Sequence, residues 1–196
     1  MKKNKMIIAA VVLLLVFVVG GAIAYFTDSE NTTNTFTIGS VAITLTEPAW
    51  TDNGGEAEGT NMLPGETAHK DPTVTVDSTS QDAFVLIGVT IPCLDGDELL
   101  TFTPNEGWEV VESVACPASG FGSATRVYSY SEDGTMTKVT AGNSATLFNT
   151  VTLINLTNAQ ATALAGEDIE MGVTGYGIQA DGLESTTNTN VWGYFE

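Results

Sequence analysis

A chain of 196 residues with 24 acidic and only 6 basic side chains carries a formal net charge of −18. That balance argues against nucleic acid and against anionic membrane surfaces, both of which are held by basic faces. The single histidine rules out HExxH, any histidine cluster and therefore a His-ligated catalytic zinc of the common kind.

Lys2, Lys3 and Lys5 open the chain, residues 6–19 are unbroken apolar sequence, and Ala22-Ile23-Ala24 is a small-x-small site. This is the pattern of a secretory signal peptide over residues 1–24, with Ala22 and Ala24 marking the cleavage site and Tyr25 the new N-terminus. The competing reading is an uncleaved membrane anchor. The apolar run continues through Phe26 and, at about 20 residues, is long enough to span a bilayer. The Ala-x-Ala site and the polar run after it favour cleavage. All 24 acidic residues lie beyond the leader, against Lys70, Arg126 and Lys138 alone, so the mature charge is −21. Repulsion of that size suits a soluble extracellular protein and opposes casual self-association. Specific assembly must then rest on backbone pairing and apolar contact.

Cys93 and Cys116 are the only cysteines. In an exported chain they suggest one disulfide, the alternative being two free thiols. Each closes an apolar strand-like run, so the two runs are candidates for neighbours. CxxC is absent.

From Thr35 the sequence alternates. Phe36 and Ile38 share one face; after Gly39-Ser40 the parity flips and Val41, Ile43 and Leu45 share a face, the mark of a bulge or tight bend. Glu47-Pro48 ends this strand, because proline cannot donate to a ladder. Residues 50–61 are acidic and Gly-rich and read as a loop. Leu63-Pro64-Gly65-Glu66 has proline and glycine where a type II turn wants them. Asp71-Pro72 leads into the alternating Val74 and Val76. Residues 83–91 are apolar on both faces, which predicts a central strand. Asp95-Gly96-Asp97-Glu98 is a turn.

Residues 108–114 and 126–130 predict strands, the latter with Tyr128 and Tyr130 on one face. Glu132-Asp133-Gly134 predicts a hairpin turn with residues 135–139 as the return strand. Residues 145–154 predict a further long strand. Residues 158–165 are the one predicted helix, with Thr157 and Gln160 as a capping box and Gly166 as the stop. Two turns are too short to stand alone, so this helix must pack on a sheet. Residues 169–178 return to strand, with Gly172, Gly175 and Gly177 at close-approach positions, and residues 191–195 predict a last, aromatic strand.

About nine strands at short spacing with one small helix indicate an all-β, antiparallel β-sandwich. Jelly-roll and immunoglobulin-like topologies are not separated by spacing alone. The order Cys93, Trp108, Cys116 is formally that of an immunoglobulin domain, but the cysteine spacing is far too short for its opposing sheets. With no Pro/Ser-rich linker and no repeat, residues 35–196 read as one domain behind a short N-terminal segment, 25–34.

Four blocks carry a resemblance: AYFTDSENTTNTFTIGSVAITLTEPAW at 24–50, LPGETAHKDPTVTVDSTSQDAFVLIGVTIP at 63–92, TLFNTVTLINLT at 146–157 and VTGYGIQADG at 173–182. Together they resemble the camelysin/TasA family of Gram-positive exported proteins, which a dedicated signal peptidase processes. The resemblance implies a jelly-roll-like sandwich and a subunit of biofilm-matrix or cell-surface fibres, in which the N-terminus of one subunit completes the sheet of the next. It implies the same chain as partner, with other matrix proteins beside it. Some members have been called metalloproteases. The cysteine pair is not a feature of the family.

Within that picture residues 25–34 are a flexible donor segment. Tyr25 and Phe26 are apolar anchors, Thr27 and Asp28 open a polar, Gly-free run suited to an extended strand, and Thr35 and Phe36 lead into the fold. The bland alternative is a loose tail before an ordinary first strand.

The chemical readings are weaker. His69 lies in a polar turn, Ala68-His69-Lys70-Asp71-Pro72, unlike a nucleophile elbow, and reads as a surface or structural residue. A glycosidase pair among so many carboxylates would be chance proximity without a tuned acid. Asp95, Asp97 and Glu98 could hold Ca²⁺, but the spacing lacks the EF-hand pattern and a solvated turn is the better reading. Lys70 or Lys138 could form an isopeptide crosslink, for which no motif is present. The expectation is therefore a secreted, non-enzymatic fibre subunit with no cofactor, no nucleic-acid partner and membrane contact only through the leader. A cell-surface binding module using a loop-borne Trp50 is the alternative, and a camelysin-like metalloprotease is the third reading.

Overall fold

The most apolar run beyond the first 24 residues builds the centre of the described structure. In a computed structural model that describes residues 41–165 and 167–196, strand β4 (Ala83–Leu94) is buried on both faces and flanked on both sides. Its neighbours are β12 (Gly172–Gln179) and β8 (Phe121–Glu132), both antiparallel, and β8 in turn pairs β7 (Trp108–Val114). The short β5 (Asp97–Glu98) and β9 (Thr135–Met136) pair β4 and β8. The expected leader with Ala22 and Ala24, the expected donor residues Tyr25, Phe26, Thr27, Asp28, Thr35 and Phe36, the expected bend at Gly39-Ser40 and the expected helix stop at Gly166 lie outside the described residues.

The second layer is split into two three-stranded antiparallel sheets. In one, β3 (Thr73–Val76) lies between β1 (Ile43–Thr46) and β10 (Ser144–Thr146); in the other, β11 (Thr150–Leu153) lies between β2 (Thr67–His69) and β6 (Leu100–Thr101). The alternation predicted for Val41, Ile43 and Leu45 holds: all three turn inward, while Ala42, Thr44 and the rest of that parity are exposed. Val85, Ile87, Val89 and Ile91 of β4 meet Val74, Val76, Val151 and Leu153 of this layer in the main core. The fold is thus the expected all-β antiparallel sandwich.

Four short helices occur among the described residues, where one was expected. The acidic stretch read as a loop forms α1 (Pro48–Asp52) and α2 (Glu56–Gly59). Pro48 is pre-set for a first helical turn, and the cap comes from elsewhere in the chain: Asp71 Oδ1 accepts from the Ala49 and Trp50 N–H groups at 2.8 and 3.3 Å. α3 (Asn158–Ala163) has the predicted capping box complete, with Gln160 its buried residue. The aromatic end, expected as a strand, is α4 (Asn188–Trp192). Helical spacing gathers Val191, Trp192 and Phe195 over the outer face of β4, where Phe84 and Leu86 would otherwise meet water. Tyr176 of β12 completes this second core, its ring 5.3 Å from Trp192 and 5.4 Å from Phe195.

The long strand expected over 145–154 is two strands in two different sheets, β10 and β11. Leu147 and Phe148 are consecutive and both fully buried, which an alternating strand does not allow; the chain crosses between the sheets there, with Leu147 N–H donating to Pro72 O at 2.9 Å. The return strand over 135–139 keeps its ladder only through Met136, after which Val139 bridges Ala83. β8 is longer than 126–130 because its Gly/Ser-rich start, without an apolar pattern, still pairs the far end of β4. Finally, the runs preceding the two cysteines are not adjacent: β8 lies between β4 and β7.

Candidate assembly edge and the residues around it

A sandwich that adds a strand from another chain needs an open edge with free backbone groups and nothing to repel the newcomer. Among the described residues the large sheet ends in β12 on one side and β7 on the other. β7 is defended. Its ladder to β8 shifts register between Val110 and Glu112, a bulge, and it carries Glu109 and Glu112. Bulges and charges are the usual protection of an edge.

β12 has none of these. Its eight residues, GVTGYGIQ, pair β4 without a break from Gly172↔Thr90 to Gln179↔Ala83, and they include no charge and no proline. Its far side has no partner strand among the described residues. The predicted close-approach glycines explain why β12 also lies tight against the other layer. A Cβ on Gly177 would come within 2.7 Å of Ile43 Cγ2, and one on Gly175 within 3.3 Å of Val74 Cγ2. β1, the first described strand, therefore sits against β12 and is itself an edge.

Glu109 ties the defended edge to the C-terminus. Its Oε2 accepts from Ser131 Oγ at 2.6 Å, from Gly134 N–H at 3.0 Å and from Asn188 Nδ2 at 3.3 Å. The Ser131 hydrogen bond, aided by the Gly134 and Asp133 N–H groups and opposed by partial burial, holds this carboxyl below its ordinary 4.5. A carboxylate depressed in the fold adds stability that is complete above its ordinary pKa and is lost as pH falls through the folded value. Glu109→Gln is expected to cost about 1–2 kcal/mol at neutral pH, read as a lower urea midpoint. The gap to the unsubstituted protein should close as pH drops below 4.5; a gap constant down to strongly acid pH would contradict this account.

The residues singled out for chemistry are spoken for within the protein. Asp95 Oδ1 accepts from Gly120 N–H at 2.8 Å, Asp97 Oδ2 from Gln160 Nε2 at 2.8 Å, and Glu98 forms a two-pronged pair with Arg126, whose guanidinium pKa it raises. The three carboxylates of the Ca²⁺ candidate thus point to three different donors. His69 Nδ1 lies 2.6 Å from Glu58 Oε1, and this contact lowers the Glu58 pKa. Among the described residues no group of three or more His, Cys, Asp or Glu side chains is placed to hold a metal ion.

Trp50 is not loop-borne: it sits in α1, packs against the core, lies over Gly59 and has Lys70 Nζ 5.5 Å from its ring. Lys70 pairs with Glu47, and Lys138 with Asp82 and Asp181. Cys93 and Cys116 are joined, Cα to Cα 5.7 Å. Cys93 is buried on β4, and the loop after β7 carries Cys116 back past β8 to meet it.

The sequence reading missed one feature of the split layer. None of its six strands contains an acidic, lysine or arginine residue. Its hydroxyl side chains line up across the strands in rows, Thr44–Thr75–Ser144, Thr46–Thr73–Thr146 with Thr73 buried, and Thr67–Thr152–Thr101. Single strands show only a Thr-x-Thr alternation; the rows arise from register.

A family model described as Camelysin metallo-endopeptidase matches residues 1–88. No curated protein and no solved structure matches the chain. The resemblance read from the sequence is borne out over the matched residues, which run from the leader through β3 and into β4. The lone histidine is paired to Glu58, and no metal-holding cluster exists among the described residues.

Proposed function

From a chain whose first 88 residues match the camelysin family model, we propose a secreted, non-enzymatic structural subunit that assembles into extracellular or cell-surface fibres by strand donation. Residues 25–34 of one subunit, anchored by Tyr25 and Phe26, add to the sheet of the next. The observation that carries this reading is β12: eight uncharged residues in unbroken register, with no partner on the far side among the described residues and no bulge or proline to turn a strand away. Backbone pairing is the mode of contact that a mature polyanion of net charge −21 tolerates best, because it needs no charge complement. The growing fibre also removes an exposed edge that would otherwise invite disordered aggregation.

Electron microscopy tests the proposal. The purified protein should form filaments, and a variant lacking residues 25–34 should remain a folded monomer with an unchanged melting profile. Thr174→Asp, which puts a carboxylate on β12, should likewise fold and fail to polymerise. Ordinary filaments from either variant would overturn the proposal.

A further inference from the structure

We propose that the outer face of the split layer binds an uncharged polysaccharide, seated in the groove between β11 and the segment that follows β6. The groove is a cavity of about 390 Å³ whose walls include Thr101, Phe102, Thr103, Asn105, Asn149 and Thr150, and no charged residue lines it. In a chain with 24 carboxylates, a concave site free of charge, opening onto a sheet whose strands lack acidic residues, selects for a ligand that charge neither attracts nor repels. A cation would go to the carboxylates, which lie elsewhere, and a polyanion would be repelled by the molecule as a whole.

The groove has the two kinds of group that a pyranose chain offers to match. Asn149 Nδ2 donates to Asn105 Oδ1 at 2.8 Å, and Asn105 Nδ2 donates to Thr146 O at 3.0 Å, so the two amides are held in place before any ligand arrives. Each amide carries both donors and acceptors, and so suits vicinal hydroxyls. The Thr103 and Thr150 side chains line the same groove and bring hydroxyls to it. Phe102 supplies the apolar element. It is only partly buried, and its ring is fixed by stacking on the fully buried Phe148 at 4.0 Å between centroids. The lining is mostly polar, four threonines and two asparagines beside Phe102 and Pro104, a make-up that suits a hydroxyl-bearing ligand. From the groove the row Thr67–Thr152–Thr101 leads out across the sheet, with Thr67 and Thr152 oxygens 2.9 Å apart. This extends the hydroxyl-lined surface beyond one sugar ring and favours a polymer over a free monosaccharide.

The site belongs to the split layer, whereas β12 belongs to the large sheet. Binding therefore does not depend on fibre formation, and the variant lacking residues 25–34 should bind as the parent does. The test is amide chemical-shift mapping of the purified protein titrated with chitohexaose and with cellohexaose. At least one should shift resonances concentrated on residues 101–105 and 149–152. Asn149→Asp and Thr150→Asp, exposed positions whose change leaves the core intact, should each weaken binding about tenfold or more. Phe102→Ala should do the same if it folds. No groove shift with either sugar at millimolar concentration overturns the proposal. So do shifts that follow protein concentration instead of sugar, which would make a second copy of the chain the occupant.

Discussion

Phe148→Ala is expected to lower the unfolding free energy by about 4 kcal/mol, which for a chain of this size means a melting temperature lower by roughly 8–16 °C. Phe148 is fully buried where the chain crosses between the two sheets of the split layer. Its ring stacks on Phe102, which in turn lies 5.8 Å from the ring of Tyr128 on β8. Truncation removes the transfer energy of the ring, leaves a cavity that strands anchored in three sheets cannot collapse, and forfeits the stacking contribution. Calorimetry or urea unfolding gives the number. A loss under about 1 kcal/mol would mean that the crossover relaxes freely around the gap.

Removing the Cys93–Cys116 bond should have an effect of similar size by a different route. The cysteines are 23 positions apart, and closing such a loop restricts the unfolded chain by about 3.5 kcal/mol on the chain-entropy account. The doubly substituted Cys93→Ala, Cys116→Ala protein, or the parent held under reductant, should melt about 7–14 °C lower. The signature is that reductant changes the parent and leaves the variant unmoved. Equal melting with and without reductant in the parent would show that the bond adds nothing to stability.

Much of the fold was legible because local rules and tertiary demands agree. The type II turn at Leu63–Glu66 closes as its proline and glycine require, with Gly65 at φ +86° and Glu66 N–H on Leu63 O. β4, β7, the hairpin at Asp133-Gly134 and the capping box of α3 fall where periodicity and turn chemistry put them. The errors arise where a partner distant in sequence decides. α1 is capped by Asp71, 22 residues on from Ala49. α4 is a helix because β4 needs its outer face covered, and an aromatic run alone does not say whether two-fold or helical spacing will do that. β10 and β11 part because Leu147 and Phe148 are both needed inside.

The candidate site divides in the same way. The uncharged, glycine-bearing character of β12 could be read from its letters, as could the lack of a metal-binding histidine set. That Asn105 meets Asn149 could not, since 44 positions separate them and only the β6–β11 pairing brings them together.

The covering of β4 has a kinetic consequence. One side of the central strand waits for β12, some 90 positions later in the chain, and its outer face waits for α4, later still. A nascent polypeptide therefore leaves β4 exposed on that side and that face until both later elements have been made, and long-range closure of this kind is slow.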